Sequence, residues 1–211
     1  MTHIKNIAVG FGISFIGSIP LGYLNVIGFD IYTQNGLLAT VYYLLGVILI
    51  ELFVIYFTLI FAKTLAENQK LTRFIEIFSI IFMFVLTAVF CLGSNEIGQQ
   101  RTIFNNIQNH YFLTGLLLSC LNFIQIPFWT GWNLWLLNGQ CIEVSGGRKY
   151  VYILGTLAGT FCGMLILILA LHFFASNIDF LSKYLMKIII PLVFLCLGIF
   201  QLFKFFRKYY G

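Results

Sequence analysis

Glu51 stands in the middle of an apolar run from Leu45 to Phe57, with no Lys or Arg within ten positions on either side. A charged side chain at a bilayer centre costs about 2.5–3.5 kcal/mol on insertion scales, so an acid there faces a bundle interior and marks a proton or cation path. Its chemistry is to take up and release a proton or to partner a cation. The structural alternative is a neutral carboxylic acid hydrogen-bonded to a neighbouring helix. Asp30, just before the turn Thr33-Gln34-Asn35-Gly36, is either an interfacial carboxylate or the outer station of a proton path towards Glu51.

Two further runs echo each other: Ser18-Ile19-Pro20-Leu21-Gly22-Tyr23-Leu24-Asn25 and Asn122-Phe123-Ile124-Gln125-Ile126-Pro127-Phe128-Trp129. Each sets an Ile-Pro pair and polar side chains inside a stretch apolar enough to cross a membrane. Proline removes a backbone donor, and lipid offers no replacement, so a helix broken there must be buried or line a cavity. Paired breaks point to a transporter's binding site. Asn25, Asn122, Gln125 and Asn133 supply donors and acceptors suited to a zwitterionic or hydroxylated solute. Equally, such amides re-satisfy backbone groups freed by the break. Trp129, Trp132 and Trp135 form either an aromatic interface belt or a pocket wall attractive to a cationic group.

The elements that hold these residues are transmembrane helices. Only 9% of the 211 residues are charged, against roughly 25% in soluble domains, and the mean hydropathy is +0.96. The net charge of +5 comes from basic residues at segment ends, which serve snorkelling and orientation rather than nucleic-acid binding. Six spans are expected near Ile7–Phe29, Leu37–Ala62, Phe74–Leu92, Phe112–Leu137, Tyr150–Phe174 and Leu185–Phe203. The N-terminal run reads as the first helix, not as a cleavable signal. Basic residues divide nine to three between the two sides of this layout, which places both termini in the cytoplasm.

A second echo accompanies the prolines. Leu45-Gly46 and Leu154-Gly155 follow Pro20 and Pro127 by 26 and 28 residues. Three helices per half then make an inverted repeat, about 1–105 and 106–211. Gly155, Gly159 and Gly163 form a small-residue stripe, as do Gly10, Ser14, Ser18 and Gly22; such faces serve internal packing or, alternatively, a homodimer interface. The five cysteines contain no CxxC spacing and read as apolar packers. His3, His110 and His172 lack partners at metal-ligand spacing, and no hydrolase, nucleotide-binding or protease signature occurs. No metal, cofactor or enzymatic activity is expected.

The run from Gly17 to Asn25, the Asn35-Gly36 turn, Leu45-Gly46 and Leu121-Asn122 resemble the lysine/threonine exporter (LysE-type) family. The strings Gln125–Trp132 and Tyr152–Gly163 look like a divergent branch found among Bacteroidetes-type sequences. The family's proline-glycine signature maps to Pro20 and Gly22. Its Asn-Pro-Lys signature maps only to Asn122, with Phe123 and Ile124 in the other two places and Pro127 one turn later. An aspartate common in helix five of better-known exporters is absent from the Gly159-Thr160-Phe161 region. The resemblance implies a six-helix, multi-pass inner-membrane protein exporting an amino acid in exchange for protons.

The resulting expectation is an all-α membrane protein of one domain, with helices one and four broken at Pro20 and Pro127. It acts as a secondary transporter of an amino acid or similar small metabolite, with Glu51 and Asp30 handling protons. Pro20, Gly22, Asn25, Asn122, Gln125, Pro127, Trp129 and Asn133 are the expected solute-binding residues. Divalent-metal efflux is the alternative within transport, although hard cations want several oxygen ligands. A thiol-disulfide membrane oxidoreductase, or a structural membrane subunit, would come from a different class.

Overall fold

The computed structural model describes residues 2–19, 22–67, 70, 73–74, 76–78, 80–81, 84–85, 87–88, 110–177, 188 and 190–209. Its helices are α1 (Thr2–Ser18), α2 (Tyr23–Glu67), α3 (Tyr111–Cys120), α4 (Gln125–Asn138), α5 (Arg148–Asn177) and α6 (Ile190–Tyr209). No strand occurs among the described residues. Two helical stretches, Tyr23–Ala62 and Arg148–Ala175, are long and apolar enough to cross a membrane, and α3 with α4 makes a third if the bent pair is one span. The expected third span, near Phe74–Leu92, and the loop after it fall largely outside the described residues, as does Pro20.

α2 is not straight. Gly36 adopts φ 78° and ψ −172°, a conformation open to a residue without Cβ. In an unbroken helix, Leu24 and Tyr43 would lie about 28 Å apart. Instead the Tyr43 hydroxyl donates to the Leu24 carbonyl at 2.9 Å. The chain therefore doubles back at Gly36, where the polar turn was expected, giving a short arm (23–35) and a long arm (37–67).

The expected first and fourth spans are each interrupted. α1 ends at Ser18, and the short arm of α2 begins at Tyr23. The second break is Leu121–Ile124, between α3 and α4, with a bend of 71°. It lies before Pro127, not at it. Pro127 is the third residue of α4, where the first-turn N–H has no intrahelical partner to lose. At each break an amide side chain from the following helix returns to the end of the preceding one: Asn25 Nδ2 donates to Ser18 O at 2.9 Å, and Gln125 Nε2 to Ser119 O at 3.0 Å.

Small residues bring two helix pairs into backbone contact. A Cβ on Gly155 would lie 2.6 Å from the Ile7 carbonyl oxygen, and one on Gly10 2.7 Å from that of Tyr152. Gly159 and Gly163 continue the seam against Phe11 and Phe15, so α1 and α5 run parallel. Gly155, Gly159 and Gly163 of one stripe and Gly10, Ser14 and Ser18 of the other thus share one internal interface. The long arm of α2 meets α3 through the same pairing: Gly46 abuts the Phe112 carbonyl, and Gly115 abuts that of Tyr43. Close backbone approach replaces the hydrophobic drive that lipid removes.

The chain groups into two compact units, Met1–Asn68 with His110–Leu171, and Gln69–Asn109 with His172–Gly211. In the second, Lys208 Nζ bonds Glu76 Oε1 at 2.7 Å, and the Arg73 guanidinium lies 5.1 Å from the Tyr209 ring centroid. All residues of the candidate site lie in the first.

Candidate functional site

The long arm of α2 and α5 pass each other antiparallel. Tyr56 stacks on Tyr150 with centroids 6.4 Å apart, while Glu51, earlier on its helix, meets Thr160, later on its own. Glu51 is only 8% exposed. Its Oε1 accepts hydrogen bonds from the Trp129 indole at 3.1 Å and from the Thr160 hydroxyl at 3.2 Å. Thr160 is also hydrogen-bonded to Ser14 of α1. Glu51 Oε2 is buried and has no hydrogen-bond partner among the described residues. Bonds to a charged group contribute about 1.5–3 kcal/mol each, enough for the two donors to offset much of the cost of the buried charge.

A second polar tier lies on one side of this centre. Asn133 is fully buried; its Nδ2 donates to Thr58 at 3.1 Å, and its Oδ1 accepts from Tyr152 at 2.9 Å. Thr58 is seven residues beyond Glu51, about 10 Å along the helix. Beyond this tier the helices reach their basic ends. Asn6 Nδ2 donates to the Glu143 and Arg148 carbonyls at 2.8 and 3.2 Å, and Lys5 bonds the Gln140 carbonyl at 3.3 Å.

On the opposite side Gly28 packs against apolar groups. A Cβ on Gly28 would lie 2.5 Å from Ile168 Cδ1 and 3.2 Å from the Tyr43 ring. Asp30 belongs to this side and pairs with Gln34 at 2.8 Å. With the chain reversed at Gly36, Asp30 stands about 13 Å short of Glu51 along the hairpin, so the two acids do not meet.

The expected site residues therefore separate. Trp129 and Asn133 join the buried network. Asn25 and Gln125 bind backbone carbonyls at the breaks. Asn122 lies within the second break, its backbone N–H donating to Ser119 O at 3.1 Å, and Gly22 immediately precedes the helix after the first, accepting from Val26 N–H at 3.1 Å. Pro127 is exposed. Trp135 is 59% exposed and, with Phe128, Gly131 and Trp132, lines an open groove of about 390 Å³. The three tryptophans diverge because three residues fall about 60° short of a turn at each step. Thr160, Ser14, Thr58 and Tyr152 complete the network and were not singled out as site residues from sequence. The usable signal was the Leu-Gly echo, which aligns Thr160 with Glu51.

No cluster of three or more His, Cys, Asp or Glu side chains suited to a metal ion occurs among the described residues, and Cys120, Cys141, Cys162 and Cys196 are free. Fold and site together define the class: an all-helical, membrane-associated protein with a polar interior arranged around a buried carboxylate. No protein-family model, curated protein or solved structure matches the chain.

Proposed function

We propose that this protein is a secondary transporter that moves an amino acid or similar small metabolite out of the cell, exchanging it for protons bound at Glu51. The observation that carries the reading is the Glu51 carboxyl itself, held on Oε1 by Trp129 and Thr160 while Oε2 is left open. A lone acid buried inside an apolar helical bundle marks a proton or ion path.

Two further observations support an inverted repeat as the frame. The helices carrying Glu51 and Thr160 run antiparallel, and two glycine crossings share one register. In this arrangement the helix breaks allow α4, which bears Trp129, to move against α3 and so couple solute binding to the carboxyl. The polar tier towards Lys5 and Arg148 is the proton's route in the present conformation, and that basic end is the cytoplasmic one. Metal efflux is disfavoured, because no cluster of three or more His, Cys, Asp or Glu occurs among the described residues and Asp30 stands apart from Glu51.

The test uses purified protein in proteoliposomes. Amino acids are first screened for thermal stabilisation, since ligands that bind only the folded state raise it. Flux of the best binder is then followed with and without a pH gradient. Wild type is expected to show gradient-driven flux and Glu51→Gln to lose the gradient dependence. Unchanged coupling in Glu51→Gln would remove Glu51 from the mechanism.

A further inference from the structure

We propose that Glu51 and Thr160 are two copies of one position, and that the proton site is shared by both halves, with Ser119 as the second-half counterpart of Ser14. The proposal deepens the transport reading above and rests on it.

The register is fixed by backbone contacts. In the α1–α5 crossing, Ile7 meets Gly155 and Gly10 meets Tyr152; in the α3–α2 crossing, Phe112 meets Gly46 and Gly115 meets Tyr43. The two first-helix pairs, 7/112 and 10/115, are each offset by 105 residues. The two second-helix pairs, 46/155 and 43/152, are each offset by 109. Carried along the helices, these offsets pair Ser14 with Ser119 and Glu51 with Thr160. Burial follows the same register: positions 43, 47, 51, 55 and 59 are buried, and so are 152, 156, 160, 164 and 168.

Glu51 and Thr160 hydrogen-bond to each other at the point where their antiparallel helices cross. Residues related by a two-fold axis touch one another only at that axis, so the carboxyl lies at the centre of the repeat. There it is equally reachable from both sides when the halves rock.

The Ser14–Thr160 contact has a symmetry counterpart between Ser119 and Glu51. Ser119 is fully buried, and its hydroxyl donates to the Val47 carbonyl at 3.3 Å, one helical turn before Glu51. In the shared site this hydroxyl is the donor assigned to Glu51, whose Oε2 lacks a described partner. The bound proton belongs on Oε2, because Oε1 already accepts two hydrogen bonds. Glu51 is the buried charged residue among those described, so no acid or base from α1, α3, α4 or α5 competes for it. Trp129 and Thr160 bond it directly, Ser14 reaches it through Thr160, and Ser119 lies one turn away on the Val47 carbonyl.

The test moves the carboxyl. Full-length protein in nanodiscs is titrated with pH while the carboxylic C=O stretch is followed by infrared difference spectroscopy. Wild type is expected to show a titrating band that Glu51→Gln and Glu51→Thr both lose. Glu51→Thr combined with Thr160→Glu is expected to regain it. Failure of a folded, monodisperse double variant to regain the band overturns the shared site. A restored band without solute flux in any variant, wild type included, overturns the transport reading and leaves the shared site standing. Should the double variant not fold, cysteine pairs decide in a background with the native cysteines replaced by alanine. Ser14→Cys with Thr160→Cys and Ser119→Cys with Glu51→Cys are both expected to cross-link; closure of the first pair without the second overturns the proposal.

Discussion

Adding one methyl group at Gly155 is expected to destabilise the bundle by about 1–2 kcal/mol, and the structure sets the scale. The new Cβ would lie 2.6 Å from Ile7 O and 2.8 Å from Ile7 Cα, whereas carbon contacts relax to about 3.5–4.0 Å. Both obstacles are backbone atoms and cannot rotate away, so α1 and α5 must part by about 1 Å along the seam. Overpacking of this kind costs about 1–3 kcal/mol, and the better helix propensity of alanine returns up to about 1 kcal/mol. Gly46→Ala should behave alike, because its Cβ meets the Phe112 carbonyl and, at 2.9 Å, Leu116 N. Gly12 is the control: a Cβ there meets nothing within 4 Å, so Gly12→Ala should be neutral or stabilising by up to about 1 kcal/mol. Reversible unfolding in mixed detergent micelles, followed by circular dichroism, measures all three. If Gly155→Ala matched Gly12→Ala, the close crossing and the register built on it would both fall.

Three other outcomes follow from the same geometry. Trp129→Phe keeps an aromatic ring but removes the N–H that holds Glu51; because bonds to charged groups contribute about 1.5–3 kcal/mol, gradient-driven flux in proteoliposomes should fall at least about tenfold while the protein stays folded. Asn133→Leu leaves the Tyr152 hydroxyl without its acceptor, so a double-mutant cycle with Tyr152→Phe, read by unfolding, should return a coupling of about 0.5–1.5 kcal/mol. Lys208→Ala removes a pair in which Lys208 is 45% exposed and Glu76 21%; its effect on the unfolding midpoint should amount to no more than about 1 kcal/mol and shrink with added salt.

Much of the helical frame was legible from sequence. Low charge and long apolar runs announce helices in lipid, the polar stretch ending at Gly36 marks the reversal, and the isolated acid identifies the buried centre. The second break was misplaced by a few residues for a physical reason. Proline forbids a donor but tolerates the first turn of a helix, so Pro127 marks the start of α4 and the break precedes it. The amides near the breaks were ambiguous because the same side chain can bind a solute or cap a carbonyl. Asn25 and Gln125 do the second, and only the packed structure distinguishes the two. The network beyond Glu51 was hidden because threonine and serine are ordinary residues in apolar helices, where their hydroxyls bond the preceding turn. Thr58 does so with Val54 at 2.7 Å and still accepts from Asn133.

The register also explains why the two Ile-Pro pairs are unequal. Offsets of 105 and 109 residues relate the crossings, yet Pro20 and Pro127 are 107 apart and do not occupy matching positions. The Tyr43 hydroxyl meets Leu24 and the Tyr152 hydroxyl meets Asn133, both pairs 109 residues apart, so under the proposed repeat the halves differ in what they place beside the centre. The second half contributes an indole donor and an amide bridge, which carry polarity from Glu51 towards the basic helix ends. The first half contributes Leu24 and Gly28, packed against Tyr43 and Ile168. If the frame is symmetric as proposed, its central carboxyl is offered to both sides, and asymmetric side chains decide which side reaches it. In this conformation the polar tier lies towards the helix ends that carry Lys5 and Arg148, and Gly28 packs against Ile168 and Tyr43 the other way. Under the proposed transport reading, release of the Glu51 proton to the other side would require the Gly28–Ile168 contact to part, with the helix breaks beside α4 and the short arm as joints.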